Sequence, residues 1–306
     1  GRFPGMGFVL LTGSGHPTLA GELASALGTS LGAVVCERFP DGELAIEVNC
    51  DVRAQSVYVV QPLNAPVGER LLELALLADA CRRSGAARVT AVIPYLGYAR
   101  QDRRELGREP LGARVMAELL AAGRVDRLVC LDLHSRAIEG CFPQPVEHCS
   151  ALPALAQRLL ATVKRPAVVI SPDLGAVKRA QAFAKALSLP VAIVHKHRSS
   201  GSQVEATGVV GEVKGLTPVV VDDIISTGGT MVAAIRAVLD AGAVGPVTVA
   251  ASHGLFVGPA YERLRGLPIE RVVVSNSVPV PTGAPFQVDV VSTAEALAEA
   301  VRRLER

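Results

Sequence analysis

The sequence predicts an α/β fold of two domains, each a mainly parallel sheet flanked by helices, and three observations carry that prediction. Short β-rich runs bounded by turn residues alternate with stretches of helical period. The order strand, helix, strand recurs at an offset of about 160 residues, roughly half of the chain. A composition of 49% hydrophobic and 20% charged residues over 306 positions can bury a full core and falls in the range of one large or two medium domains.

The strand candidates are 57–60, 89–93, 128–131, 167–170, 218–221, 247–250 and 271–274, each apolar and closed by turn residues. Between them, 16–28 places Leu19, Leu23 and Leu27 on one face and ends at Gly28, and 69–84 ends in the same way at Gly85. Glycine past a helix end accepts the left-handed conformation that closes the last turn. The repeat shows in VYVVQP followed by SGAARVTAV, and in PVVVDD followed by AGAVGPVTVA. Two similar α/β domains, 1–150 and 151–306, are the economical reading.

Charge and hydropathy exclude several classes of partner. Thirty-one Lys plus Arg against 29 Asp plus Glu leave +2, so neither a nucleic acid nor a membrane is expected as partner, and any anion must be held locally. No apolar run approaches the roughly 20 residues that cross a bilayer, and no long apolar h-region opens the chain, so a cytoplasmic location is expected. The six cysteines, all in the first half and none in a C-x-x-C pair, read as reduced thiols rather than a disulfide framework or a zinc site.

The strongest chemical signal is the apolar strand 219–221 running into Asp222, Asp223, Ile224, Ile225, Ser226, Thr227, Gly228, Gly229 and Thr230, with a helix expected from Met231. Two carboxylates at the carboxyl end of a strand lie where open α/β sheets bind ligands. The loop after them, with two glycines and three hydroxyls, opens a helix, so backbone N–H groups and side-chain donors converge on a phosphate. Acids beside such a cradle suit a sugar phosphate, taking ribose hydroxyls or Mg²⁺.

This run resembles the phosphoribosyl-pyrophosphate (PRPP) binding motif of type I phosphoribosyltransferases. Four further segments resemble the ribose-phosphate pyrophosphokinase family in order and spacing: Phe39-Pro-Asp-Gly-Glu43, Pro94-Tyr-Leu-Gly-Tyr-Ala-Arg-Gln-Asp-Arg-Arg104, Asp132-Leu-His134 and Ser171-Pro-Asp173. The resemblance implies two tandem phosphoribosyltransferase type I-like domains, of which only the second keeps the PRPP loop. It also implies an activity: transfer of the pyrophosphoryl group of Mg·ATP to the 1-hydroxyl of ribose 5-phosphate, giving PRPP and AMP.

Arg100, Gln101, Asp102, Arg103 and Arg104 follow a strand, and guanidinium forks suit a triphosphate. By resemblance, Arg100, Gln101 and Asp102 contact ATP, together with Phe39, Asp41 and Glu43 supplied by a neighbouring subunit of a homo-oligomer. His134 and Asp173 are implied to hold Mg²⁺ with ATP, directly or through water. Asp222, Asp223, Ser226, Thr227, Gly228, Gly229 and Thr230 are implied to bind ribose 5-phosphate. A cationic stretch after Val194, His195-Lys-His-Arg-Ser-Ser-Gly-Ser202, resembles the family's catalytic loop and brings Lys196 and Arg198 to the transferred group. Spread negative charge in phosphoryl transfer calls for such cations in a closing, water-poor site.

The chain departs from the family pattern at Ser226, where many members carry an acid, and at Ala65-Pro66, where Asp-His is frequent. Asp51 stands near Arg53 where some relatives carry serine, and the last helix has no Ser-rich tail after it. ADP is therefore expected to act only as a competitor of Mg·ATP.

Overall fold

The computed structural model describes residues 7–104, 106–197 and 205–306, and these form two compact units. The first unit contains β1 (Phe8–Thr12), α1 (Pro17–Ala26), β2 (Val34–Arg38), β3 (Leu44–Val48), β4 (Ser56–Val60), α2 (Val67–Arg83), β5 (Arg88–Ile93), α3 (Gly112–Ala122), β6 (Arg127–Leu131) and β7 (Val146–Cys149). Its sheet has the order β1-β4-β5-β6-β7 with every neighbouring pair parallel. A parallel sheet covered on both faces needs apolar residues on both, so β4 and β5 read as runs, SVYVV and RVTAVI, rather than as alternations. Strands β2 and β3 form a separate antiparallel ribbon, packed on the core through Val34, Cys36, Ile46 and Val48.

The second unit contains α4 (Leu152–Thr162), β8 (Ala167–Ser171), α5 (Val177–Leu187), β9 (Val191–His197), β10 (Glu205–Val210), β11 (Thr217–Ile225), α6 (Gly229–Asp240), β12 (Val247–Gly254), α7 (Ala260–Arg265), β13 (Ile269–Ser275) and β14 (Gln287–Val291). Its strand order is β10-β9-β8-β11-β12-β13-β14, and all pairs except β9–β10 are parallel. Strand order reverses direction between β8 and β11. In open α/β sheets, the crevice outside the carboxyl ends of such strands is where ligands bind.

The units repeat one plan: the core β1-β4-β5-β6-β7 of the first answers to β8-β11-β12-β13-β14 of the second. The expected division differs from the structure at the chain's end. Helix α8 (Ala294–Leu304), assigned from the sequence to the second domain, groups with residues 1–150, and the second unit is Ala151–Ser292. Its buried stripe of Leu297, Ala298 and Val301 announces a covered face but not the surface that covers it. Arg302 donates to the Ala26 carbonyl at 2.6 Å, Arg303 to Glu147 at 2.6 Å, and the Tyr58 hydroxyl to Glu305 at 2.7 Å, all within the first unit.

Among the described residues, no helix is long and apolar enough to cross a membrane. The six cysteines are free thiols, and burial pushes those of Cys81 and Cys149 up to about 12, where a thiol is a poor nucleophile.

Candidate functional site

In the second unit, Asp173 and the run from Asp222 to Thr230 lie at the carboxyl ends of β8 and β11, where the strand order reverses. Strand β11 continues two residues beyond the acids, so Asp222 and Asp223 lie inside it rather than after it, Asp222 level with Ala251 of β12. Pairing with β12 through Ile225 supplies the partner that extends the strand. Asp223 is 4% exposed, and its backbone N–H donates to Asp222 Oδ1 at 2.9 Å. One Arg179 guanidinium nitrogen lies 3.6 Å from Asp222 Oδ1 and 3.4 Å from Asp223 Oδ1.

Burial, and then the like charge of Asp223, raise Asp222 to about 8, with Arg179 opposing them. The pair therefore keeps a proton at neutral pH. In an unfolded chain a carboxyl releases it near pH ~3.9. A group whose pKa is raised by folding contributes stability that is fully present below the unfolded value and is lost as pH rises through the folded one. The melting temperature of the wild type is thus expected to fall progressively between about pH 4 and 8 relative to Asp222→Asn, and to level off above that. Parallel curves for the two proteins would mean that the pair shares no proton.

After β11 the chain turns through Ser226 and Thr227, and Gly228 adopts φ +80° just before α6. The helix begins at Gly229, two residues earlier than expected, because the left-handed Gly228 completes the turn and lets the next residue enter the helix. The Ser226 carbonyl accepts from Val257 N–H at 3.0 Å, which clips the loop to the segment after β12. The first-turn N–H groups have no intrahelical acceptor by geometry, and Thr227, Gly229 and Thr230 are exposed, so the donors face outward. Arg263 of α7 donates to the Thr227 carbonyl at 3.3 Å and places a second cation beside the loop. Here is an anion cradle with two acids at its back. Thr230→Val, which removes one outward hydroxyl, is expected to raise the KM of a phosphomonoester substrate roughly five- to tenfold and to leave that of a co-substrate bound elsewhere within about twofold. Equal rises would sink this placement.

Asp173 follows β8 on the other side of the crevice, partly exposed. Its Oδ1 accepts from Ala176 N–H at 3.1 Å and its carbonyl accepts from the Ser171 hydroxyl at 2.7 Å, so the turn is held in place. Lys196 is on β9, opposite Ala206 of β10, so the strand runs three residues past the Val194 end expected from the sequence. The antiparallel partner β10 provides the hydrogen bonds that a charged sequence does not announce. Arg198 lies outside the described residues.

The first unit holds the remaining expected residues, all at the carboxyl ends of its strands or on the ribbon. After β5, Arg100 and Gln101 are exposed and Asp102 is partly so. Gln101 N–H donates to the Tyr98 carbonyl at 2.9 Å, and its own carbonyl accepts from Ala113 N–H at the start of α3. His134 is exposed after β6, in a turn where the Ser150 hydroxyl holds Asp132 at 2.7 Å. Phe39, Asp41 and Glu43 form the exposed tip of the β2–β3 ribbon, with the Phe39 ring 54% exposed. That turn is closed by Phe39 N–H to Glu43 carbonyl and Gly42 N–H to Phe39 carbonyl, each 2.9 Å, with Gly42 at φ +93°.

Arg179 and Arg263 were missed from the sequence. A signal for the first was available: Lys178 and Arg179 stand in the first turn of α5, where the helix dipole disfavours cations, so a local anionic partner is needed. Arg263 has no such signal, because it reaches the loop only through the packing of α7.

Two family models match the chain. One describes the N-terminal domain of ribose phosphate pyrophosphokinase and matches residues 8–123; the other describes a phosphoribosyl transferase domain and matches residues 150–262. A ribose-phosphate pyrophosphokinase from Prochlorococcus marinus subsp. pastoris is 43% identical over 298 residues, spanning 96% of this chain and 90% of the relative. One from Aquifex aeolicus is 40% identical, spanning 98% and 96%. The crystal structure of phosphoribosylpyrophosphate synthetase from Mycobacterium smegmatis superposes with a TM-score of 0.89 at 36% identity, covering 98% of this chain and 99% of that one.

Proposed function

The chain belongs to the ribose-phosphate pyrophosphokinase family, and from that premise we propose how its residues make PRPP from ATP and ribose 5-phosphate. The observation that carries the reading is the second unit's crevice, where an anion cradle opens α6 directly after the Asp222–Asp223 pair.

The cradle of Ser226, Thr227, Gly228, Gly229 and Thr230 takes the 5-phosphate of the sugar on backbone and hydroxyl donors. Asp222 and Asp223 accept from the ribose hydroxyls, and one Arg179 guanidinium nitrogen lies within ion-pair distance of both. The ribose 1-oxygen then attacks the β-phosphorus of ATP; the O1–Pβ bond forms, the bond from Pβ to the bridging oxygen breaks, AMP leaves with that oxygen, and the hydroxyl proton is released. Lys196 and Arg198 neutralise the charge that spreads over the transferred group. No covalent enzyme intermediate is needed, because positioning two bound reactants supplies much of the acceleration.

Arg100, Gln101 and Asp102 bind the nucleotide in this reading, and Phe39, Asp41 and Glu43 reach the ATP of a neighbouring subunit. The exposed aromatic ring on a turn closed by its own hydrogen bonds supports that role. The assembly is thus a homo-oligomer with shared nucleotide sites, inside the cytoplasm.

Asp173 fits a magnesium ion carried by ATP: it offers one hard oxygen set on a held turn. Among the described residues no cluster of three His, Cys, Asp or Glu gathers to form a protein cage. Mg²⁺ keeps several waters and takes substrate phosphates with one or two carboxylates, so Asp173 and His134 would act toward it directly or through water. When bound, the ion neutralises phosphate charge and orients the β-phosphorus.

Incubation of the pure protein with Mg·ATP and ribose 5-phosphate is expected to yield AMP and PRPP in equal amounts. ADP in place of AMP, or no sugar product, would overturn the proposal.

A further inference from the structure

The first unit repeats the plan of the second, yet its counterpart of the phosphate crevice is closed from within. After β1 the chain reads Gly13-Ser14-Gly15 and enters α1, a glycine-flanked turn between a strand and a helix, which is the chemistry of a phosphate cradle. Two successive backbone N–H groups of that turn point inward, as in an anion nest. Their acceptors are side chains: Ser14 N–H donates to Glu73 Oε1 at 2.6 Å, and Gly15 N–H to Gln61 Oε1 at 2.9 Å. The Ser14 hydroxyl donates to Glu73 Oε2 at 2.7 Å, and Arg70 adds a guanidinium nitrogen to the same oxygen at 3.1 Å. Neither glycine has room for a β-carbon, which would lie 2.5 Å and 2.7 Å from Gln61 Oε1.

The helices differ in a way that explains the plug. Helix α2 has 17 residues and α6 has 12, while both end two residues before a left-handed glycine, Gly85 and Gly242. Counted back from those glycines, Glu73 stands where Thr230 of the second-unit cradle stands. The five extra residues of α2, 67–71, precede Glu73, so the acid sits inside the helix at the position that in α6 belongs to the exposed first turn and carries a threonine. Glu73 is 1% exposed. Burial alone would raise its carboxyl, but hydrogen bonds from Ser14, Arg70 and Gln61 hold it below the usual carboxylate range. Arg70 Nε, also buried, has no acceptor among the described residues.

We infer that the Gly13–Gly15 turn is an anion cradle whose resident anion is the Glu73 carboxylate, so that each chain offers one sugar-phosphate site and a second appears only when that side chain is removed. The ligand class the opened turn takes is a phosphate or phosphomonoester, held by the Ser14 N–H, the Ser14 hydroxyl and Arg70, the donors that Glu73 now occupies. This inference stands on the first unit alone and holds whether or not the second-unit loop binds ribose 5-phosphate.

Chemical rescue tests it, with inorganic phosphate as the probe and melting temperature as the reading. Glu73→Ala and the smaller opening Glu73→Ser are expected to melt below the wild type. Saturating phosphate is expected to raise both by at least about 4 °C more than it raises the wild type or the filled variant Glu73→Gln. A loss of stability through mere disruption would not respond selectively to the anion. If the opened variants gain no more from phosphate than Glu73→Gln does, or stay unfolded in its presence, the inference is wrong.

Discussion

Lys196→Ala and Arg198→Ala are each expected to lower kcat by at least roughly 100-fold, since loss of one preorganised donor at developing charge costs about 2.7–4 kcal/mol. The KM values are expected to change far less, because charge spreads over the transferred group only as it leaves AMP. Lys196 lies on β9, whose pairing with β10 is made by backbone atoms that the substitution leaves in place. Melting within a few degrees of the wild type, with kcat falling by two orders, would separate a catalytic cation from a structural one. If both variants kept near-wild-type kcat, the pair would have no part in the chemistry.

Gly228→Val is expected to be the most damaging substitution in the sugar-phosphate cradle. At φ +80° a β-branched residue is strained, and a β-carbon there would lie 3.3 Å from Leu264 Cγ and 3.5 Å from the Ala260 carbonyl. Relief requires the turn to rotate, which swings the first N–H groups of α6 away from the ligand. Two misdirected donors at about 1–3 kcal/mol each raise the KM for ribose 5-phosphate at least roughly 30-fold. The segments proposed to bind ATP lie in the first unit and are untouched, so ATP affinity should hold within about threefold. Equal loss of both affinities would point to misfolding instead.

Much of this site is legible in the sequence because its chemistry is local. The run from Asp222 to Thr230 carries acids, glycines and hydroxyls in the order a strand-turn-helix phosphate site requires, and the structure places it between β11 and α6. The parallel sheets are legible for a related reason: strands buried on both faces are apolar throughout, and helices between them repeat at three and four. The β2–β3 ribbon was not, since its short strands, VVCER and LAIEV, are half exposed and carry neither signal. Its tip residues Phe39, Asp41 and Glu43 were expected as nucleotide contacts by resemblance alone.

What the sequence by itself determined is the set of segments with their own chemistry and period: the α/β class, the duplicated plan and the cradle. Tertiary structure decided which distant segments meet. Helix α8 shows a buried stripe but not a destination, and it returns to the first unit through Tyr58, Ala26 and Glu147. Arg179 joins the acids from another helix, and Glu73 closes the Gly13–Gly15 turn from 59 residues away. Periodicity encodes that a side chain is covered, whereas the partner of a buried charge is set by the crossing of strands and helices, and that crossing is not written at any one position.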